Sequence, residues 1–214
     1  MRLRLYDYPA SGNCLKVRIL LAHLGVDYER VAVDIFAGDT LTEEYASKNA
    51  DRLTPLLEVG GAFLPESSAI LWFLADGTTY LPETRLGRAQ VVRWLLFEQS
   101  RVAAISALRF RIQTGISSGD DERALALRAN GERSLSALET HLQARPFLAD
   151  DAYSIADIAN YAYVHLAPDA GLDLGSYPAV ERWLRRIETQ TGFINDLVPF
   201  PDNARVGRGL SIYG

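Results

Sequence analysis

The sequence is poor in the residues that most often build metal centres and disulfides. Its 214 residues include one cysteine and three histidines. One cysteine excludes a disulfide within the chain, and three histidines leave little for a metal site. We therefore expect no resident metal and no disulfide framework.

Long apolar runs and blocks of positive charge are also missing. The longest uninterrupted apolar run, AILWFLA (69–75), is far shorter than the roughly 20 residues of a membrane-spanning helix. The first residues, MRLRLYDYP, alternate instead of forming the apolar core of a signal peptide. The net charge is −5, and no Lys/Arg cluster stands out. We expect a soluble cytoplasmic protein with neither nucleic acid nor a membrane as partner.

Residues 1–78 carry the pattern of a small α/β domain. Apolar residues alternate in the predicted strands and recur at helical spacing in the predicted helices. A helix between the first two strands makes them parallel, and two adjacent glycines supply the positive φ angles of a tight hairpin. The predicted strands are 2–6, 28–33 and the two that flank Gly60-Gly61 within 56–64, and the helices follow Ser11 and cover 66–75.

A turn-rich linker, residues 79–87, precedes a predicted all-helical domain, residues 88–214. Its apolar residues form four stripes at helical spacing, within 91–112, 127–142, 155–166 and 180–187. From Gly192 the periodicity stops, which predicts an extended C-terminal tail. The fold class is therefore α/β plus all-α.

Glu66 and Ser67 stand where the helix over 66–75 begins. A helix N-terminus offers free N–H groups and partial positive charge, so it favours a carboxylate. Ser67 adds a hydroxyl donor, and the carboxylate of Glu66 suits an ammonium group. Together they match the two ends of a free α-amino acid. The alternative is an ordinary acidic first turn with a serine cap.

Thr54-Pro55 opens the hairpin. If this bond is cis, the backbone N–H and C=O of Thr54 can pair with an extended peptide, as an added strand does. The alternative is a trans proline at an edge strand.

The segment SGNC (11–14) has the spacing of a redox C-x-x-C, with Ser11 at the first cysteine position. The residues alone leave open a remnant thiol site, a rebuilt active site or a helix cap. Further on, Ser154 and Asp157 have the spacing of a capping box. We interpret that pair as structural, not catalytic.

In order and spacing, several segments resemble the cytosolic glutathione transferases over nearly the whole chain, and a bacterial serine-type (theta/nu-like) member in particular. They are LYDYPASGNCLKVRILLAHLG, the Thr54-Pro55 hairpin entry, PESSAIL, RWLLFEQS and SIADIANY. The resemblance implies a thioredoxin-like domain followed by a helical domain, a homodimer, and glutathione as co-substrate without a metal. It also implies glutathione transferase activity, either conjugation of small electrophiles or reduction of peroxides or disulfides.

Carried over residue by residue, the resemblance implies that Glu66 and Ser67 hold the γ-glutamyl end of glutathione. Thr54, before a cis Pro55, would pair with its cysteinyl backbone. Ser11 would donate a hydrogen bond to the sulfur and favour the thiolate, which is the nucleophilic form.

Two neighbours of Ser11 are rivals for that role. Asn13 can donate through its amide. Cys14 is either a buried packing residue or a partner in a mixed disulfide with glutathione. Tyr8, in the same loop, is a candidate for the second-substrate pocket.

The sequence also departs from the family pattern. Many relatives carry a basic residue, for the glycine carboxylate of glutathione, where this chain has Leu53; Arg52 or Lys48 could substitute. The helix after FEQS differs as well, with Ser106, Arg109 and Phe110 as candidate pocket residues or ordinary packing residues. The alternatives to a transferase are a non-catalytic binding protein of the same fold and a glutathione-dependent disulfide reductase.

Overall fold

The computed structural model describes residues 2–210, so residue 1 and the last four residues of the predicted tail, 211–214, lie outside the described residues. The chain divides into two compact units. One contains residues 2–74 together with residues 194–210, and the other contains residues 75–193. The predicted fold class, a thioredoxin-like domain followed by a helical domain, is confirmed.

The first unit is built on a four-stranded sheet in the order β2-β1-β3-β4. As predicted, β1 pairs in parallel with β2, while β3 is antiparallel to both β1 and β4. The hairpin turn has Gly60 and Gly61 at φ 58° and 91°, the positive angles that favour glycine. The elements are β1 (Leu3–Asp7), α1 (Gly12–Leu24), β2 (Glu29–Ala32), α2 (Glu43–Lys48), β3 (Leu56–Val59), β4 (Ala62–Pro65) and α3 (Ser67–Ala75).

Helix α1 begins and ends at the residues that the sequence indicates. The hydroxyl of Ser11 accepts a hydrogen bond from the Cys14 N–H, and Gly25 ends the helix at φ 59°. Leu21 of α1 and Ile70 of α3 pack with Leu57 of the sheet in one apolar core. This packing holds both helices against the sheet.

The second unit is helical. It contains α4 (Arg85–Phe97), α5 (Ala103–Gln113), α6 (Glu122–Leu142), α7 (Ile155–Val164) and α8 (Pro178–Glu188), with a π-helical turn over Glu98–Val102. Helix α4 starts inside the segment predicted as linker, because Thr84 caps it by accepting a hydrogen bond from the Gly87 N–H at 3.0 Å. Within residues 2–210, no helix has the length and apolar character needed to cross a membrane.

The C-terminal tail departs from the prediction, which grouped it with the helical domain. Residues 194–210 belong to the first unit. Asp196 forms an ion pair with Arg18 of α1, and the Leu210 N–H donates to the Phe36 carbonyl at 2.8 Å. These bonds join segments that are far apart in the chain, so the local hydrophobic periodicity does not predict them.

Candidate functional site

Four of the five residues predicted to bind glutathione, Thr54, Pro55, Glu66 and Ser67, line one cleft of the first unit. The cleft lies between the first turn of α1, the loop before β3 and the first turn of α3. Its wall is formed by Asn13, Asn49, Asp51, Leu53, Thr54, Pro55, Pro65, Glu66 and Ser67.

At one end of the cleft, α3 presents its N-terminus. Glu66 is exposed and stands at φ 72°, a left-handed conformation that is uncommon outside glycine and costs about 1–3 kcal/mol. The next side chain, Ser67, is only 3% exposed. An exposed carboxylate, a buried hydroxyl and free helical N–H groups thus share one short segment. That combination suits a ligand that carries both an ammonium and a carboxylate.

The loop before β3 reaches the cleft through a cis Thr54-Pro55 bond. Two side chains hold the residue in front of it. The Leu53 carbonyl accepts hydrogen bonds from the Tyr45 hydroxyl at 2.8 Å and from the Asn49 amide at 2.9 Å. The backbone of Thr54 therefore borders the cleft on a braced loop.

Ser11 precedes α1 as its N-cap. Its Oγ accepts from the Cys14 N–H at 3.3 Å, and its hydroxyl also donates a hydrogen bond to the Cys14 thiol. The structure thus assigns Ser11 the capping role that the sequence left open. Ser11 is half-buried and lies two residues before Asn13, which lines the cleft.

Asn13 has a defined environment. Its Oδ1 accepts from Lys16 Nζ at 2.7 Å and from the Ser67 hydroxyl at 3.0 Å. The bond from Ser67 connects the first turn of α3 to the first turn of α1 across the wall of the cleft, and the bond from Lys16 lies within α1.

Cys14 is fully buried and accepts from the Tyr8 N–H at 3.4 Å. Burial raises the pKa of its thiol to about 12, and the nearby Asp7 carboxylate acts in the same direction. A thiol with this pKa is almost entirely protonated near neutrality. The packing interpretation of Cys14 is therefore favoured over a thiolate role.

The two basic residues considered for the glycine carboxylate have partners elsewhere. Arg52 donates to the carbonyls of Thr40 and Thr42 and pairs with Glu43 at 2.9 Å. Lys48 pairs with Glu44 at 2.6 Å. Neither belongs to the wall of the cleft, so the structure does not bring Arg52 to the proposed ligand.

None of the candidates for a second-substrate pocket is among the residues that line this cleft. Tyr8 is 4% exposed and packs edge-to-face on Phe36, which favours a packing role. On α5, Arg109 is buried and pairs with Asp169 at 3.2 Å, while Ser106 and Phe110 are half-buried. Within residues 2–210, no group of three or more His, Cys, Asp or Glu side chains is arranged to hold a metal ion.

Sequence reasoning missed three residues of this region. Asn49 and Asp51 line the cleft, and Lys16 lies behind its wall. A signal for Asn49 was available, because an Asn five residues before the Thr54-Pro55 bond is a residue type that holds loops by bonding backbone groups. Lys16 interrupts an apolar helix, and only the fold shows where its ammonium points.

A cis proline in the loop before an antiparallel hairpin, beside a βαβ unit, defines a thioredoxin-like domain, here followed by a helical domain. The N-terminal domain model of the glutathione S-transferases matches residues 1–76, and their C-terminal domain model matches residues 90–191. The crystal structure of a glutathione S-transferase from Pseudomonas fluorescens is 40% identical, with a TM-score of 0.88, over 92% of this chain and 99% of that one. The chain belongs to the glutathione S-transferase family.

Two further relatives bear on function. The disulfide-bond oxidoreductase YfcG of Escherichia coli is 26% identical over 194 residues, which cover 87% of this chain and 90% of that protein. A glutathione transferase from Burkholderia graminis, crystallised with two glutathione molecules per subunit, is 28% identical with a TM-score of 0.78. The alignment covers 92% of this chain and 87% of that one.

Proposed function

We propose that this protein is a serine-type glutathione transferase, theta/nu-like, which binds glutathione in the cleft between α1, the loop before β3 and α3. The observation that carries the proposal is the convergence of Asn13, Thr54, Glu66 and Ser67 on that cleft. Each supplies a group complementary to one part of a γ-glutamyl tripeptide.

The first turn of α3 and its flank receive the γ-glutamyl end. The N–H groups of that turn donate to the carboxylate, and so does the Ser67 hydroxyl once it turns away from Asn13 Oδ1, while Glu66 accepts from the ammonium. The backbone of Thr54 pairs with the cysteinyl unit in the manner of an added strand. No basic side chain among the described residues lines the cleft, so backbone groups and water contact the glycine carboxylate.

Glutathione supplies a thiol whose ionised form attacks electrophiles. The task of the protein is to hold that sulfur and favour its ionisation. Ser11 donates its hydroxyl proton, Asn13 donates through its amide, and the N-terminus of α1 adds partial positive charge. Each unit by which the thiol pKa falls corresponds to about 1.4 kcal/mol.

Ser106, Phe110 and Arg109 of α5 are proposed to contact the electrophile, and Tyr8 contributes only if its packing on Phe36 opens. We further propose a cytoplasmic homodimer. Apolar side chains that a second copy would cover include the exposed Phe73 of α3 and Leu96 of α4. Light scattering that gives the mass of a single chain would contradict the dimer.

Calorimetric titration with glutathione tests the binding site. Ser67→Ala should weaken binding about 10-fold or more, because a hydrogen bond to a charged group is worth about 1.5–3 kcal/mol. Ser68→Ala is the matched control, since Ser68 is the next residue of α3 and does not belong to the wall of the cleft. No heat at millimolar glutathione would favour the non-catalytic alternative.

Turnover with a halogenated nitroaromatic substrate tests the thiol site. Ser11→Ala should lower kcat and raise the pKa of the bound thiol. Unchanged turnover in Ser11→Ala would transfer the role to Asn13.

Disulfide reduction is the second candidate, favoured by the similarity to the E. coli disulfide-bond oxidoreductase. Such a reaction takes its two electrons from two glutathione molecules, which become one glutathione disulfide while the substrate S–S bond becomes two thiols. The buried thiol of Cys14 supports a version in which both sulfurs come from glutathione. Comparing reduction of a small disulfide with conjugation of the nitroaromatic separates the two activities.

A further inference from the structure

The chain contains only two lysines, Lys16 and Lys48, against twenty arginines. Lys16 lies in the second turn of α1 and its side chain is fully buried. Lysine is almost never fully buried unless its ammonium is paired or hydrogen-bonded, since desolvating the charge is costly. The contacts of a buried lysine next to a ligand cleft therefore indicate what its charge does there.

Those contacts reach the wall of the cleft from behind. Lys16 Nζ donates to Asn13 Oδ1 at 2.7 Å and lies 3.5 Å from Ser67 Oγ. The Ser67 hydroxyl in turn donates to the same Asn13 oxygen at 3.0 Å. Lys16, Asn13 and Ser67 thus form a triangle, and two of its three members line the cleft.

The chemistry of the ammonium group decides which way the Asn13 amide faces. An ammonium can donate hydrogen bonds and cannot accept them, so the amide atom at 2.7 Å must be the oxygen. With the oxygen committed to Lys16, the amide NH₂ is the end left for a ligand. Without Lys16, a 180° rotation about the last side-chain torsion of Asn13 would exchange the positions of the amide NH₂ and the amide oxygen. The cost is modest because this torsion is broad and two-fold.

We propose that Lys16 is a positioning residue for the thiol site, which acts by holding the Asn13 amide with its NH₂ toward the sulfur of bound glutathione. The inference rests on the proposed function and deepens it. The positive charge of Lys16, in a region shielded from water, also favours an anionic group on the other side of Asn13 and Ser67. Lys16 itself does not touch the ligand.

A purely structural role makes different predictions. If Lys16 only fastens α1 to α3, replacing it changes the free energy of unfolding and affects catalysis regardless of Asn13. If Lys16 acts through Asn13, its contribution disappears once the amide is removed. A double-mutant cycle separates these cases.

The cycle uses Lys16→Met, Asn13→Ala and the double variant, with kcat, KM for glutathione and the pKa of the bound thiol measured for each. Lys16→Met should lower kcat about 10–100-fold, the usual effect of losing a partner that orients a group contacting the ligand. It should raise the pKa of the bound thiol by about one unit or more and change KM less than kcat. In the Asn13→Ala background, Lys16→Met should have little further effect on either quantity.

Lys48→Met is the matched control, since Lys48 pairs with Glu44 outside the cleft. It should leave both the thiol pKa and kcat unchanged. Lys16→Gln covers the case in which Lys16→Met does not fold. Its amide can still donate to Asn13 Oδ1, so it should retain more activity than Lys16→Met or than a Lys16→Glu variant, whose carboxylate repels that oxygen.

Selective ¹³C labelling of the lysine side chains gives a readout that is independent of turnover. With two lysines, both signals can be assigned from the two single variants. Glutathione should shift the Lys16 signal and leave the Lys48 signal in place, whereas the Asn13→Ala variant should show a smaller Lys16 shift. Wild-type protein that binds glutathione but shows additive effects in the cycle, or no Lys16 shift, overturns the role of Lys16 alone. Wild-type protein that binds no glutathione overturns the proposed function and this inference together.

Discussion

Arg18 and Asp196 are 178 positions apart in the sequence, and Arg18 Nε donates to Asp196 Oδ1 at 2.7 Å. Arg18 is fully buried, and its guanidinium also pairs with the buried Asp7 at 2.5 Å. Arg30 also pairs with Asp7, and it pairs with Asp196 at 3.1 Å, which completes a cycle of four ion pairs. Two arginines and two aspartates therefore alternate in a neutral ring that ties the C-terminal tail to β1, β2 and α1.

The ring adjoins the loop that carries Ser11. Arg18 donates to the Pro9 carbonyl at 3.3 Å, and the same carbonyl accepts from the Val198 N–H of the tail at 3.4 Å. The path from Asp7 to Ser11 is thus held from α1 and from the tail. The tail therefore belongs to the construction of the proposed site.

Removing the Asp196 carboxylate should destabilise the first unit. We expect Asp196→Ala to lower the free energy of unfolding by about 1 kcal/mol, because Arg18 loses one charged partner but retains Asp7. The value is modest because the Asp196 side chain is 39% exposed, so water can replace part of the contact. Denaturant unfolding measures the loss, and limited proteolysis should show earlier cleavage after residue 194.

Asp202→Ala is the control for that experiment. Asp202 lies in the same tail and pairs with Arg205 and Arg208, but its side chain is 79% exposed, so its loss should have little effect. If Asp196→Ala unfolds at the same denaturant concentration as Asp202→Ala, the ring does not anchor the tail.

Local signals in the sequence predicted the parts of the fold that depend on local physics. Gly60 and Gly61 require no partner elsewhere to form their turn, and Ser154 caps α7 with help from Asp157, three residues away. The Glu66-Ser67 pair was recognisable because a helix start and its flanking residues are contiguous. Short-range chemistry of this kind can be read from the order of residues.

The sequence did not predict the contacts between residues that are far apart in the chain. The sequence around Asp196 has no periodicity, and its partner Arg18 sits in a helix whose apolar pattern masks a buried charge. Lys16 is hidden in the same way, since only the fold brings the α3 N-terminus with Ser67 against α1. Arg52, whose charge suited the glycine carboxylate, proved to be held by the backbone carbonyls of Thr40 and Thr42.

Asp157 has a larger structural role than its capping box suggests. Besides the Ser154 N–H, its carboxylate accepts from the Leu148 N–H at 2.9 Å and from the Trp183 indole N–H at 2.9 Å, all buried. Asp157→Ala leaves these donors without an acceptor, so we expect a loss of about 2–4 kcal/mol in the free energy of unfolding. A change below about 0.5 kcal/mol would show that water replaces the carboxylate.

The same carboxylate gives a pH dependence of defined sign. Burial raises the pKa of Asp157 to about 6, against 3.8 in the unfolded chain. Its titration therefore stabilises the fold fully below about pH 4, and the contribution is lost as the pH rises through 6. Asp157→Asn stays neutral, so its stability should improve relative to wild type by about 2 kcal/mol between pH 4 and 7. Denaturant unfolding at each pH measures the difference in the free energy of unfolding between Asp157→Asn and wild type. A difference that stays constant, or that falls for Asp157→Asn as the pH rises, contradicts the raised pKa.

Cys14 should be chemically silent in the folded protein. With a pKa of about 12, roughly one thiol in ten thousand or fewer is ionised near neutral pH, and the sulfur is buried. We expect a neutral alkylating reagent to react with Cys14 only as fast as the protein unfolds, so denaturant should accelerate labelling sharply. Mass spectrometry of native and unfolded samples measures this.

Neither enzymatic activity should require Cys14, because the sulfur that reacts comes from glutathione. Cys14→Ala should retain both nitroaromatic conjugation and disulfide reduction, with a loss of stability of about 1–2 kcal/mol from the small cavity. The control is Ser11→Ala. Ser11 precedes Cys14 by three residues at the start of α1, and its replacement should lower the rate of conjugation. Rapid labelling of native Cys14, or loss of disulfide reduction in Cys14→Ala with conjugation intact, would establish a thiolate at this position and return the SGNC segment to a redox role.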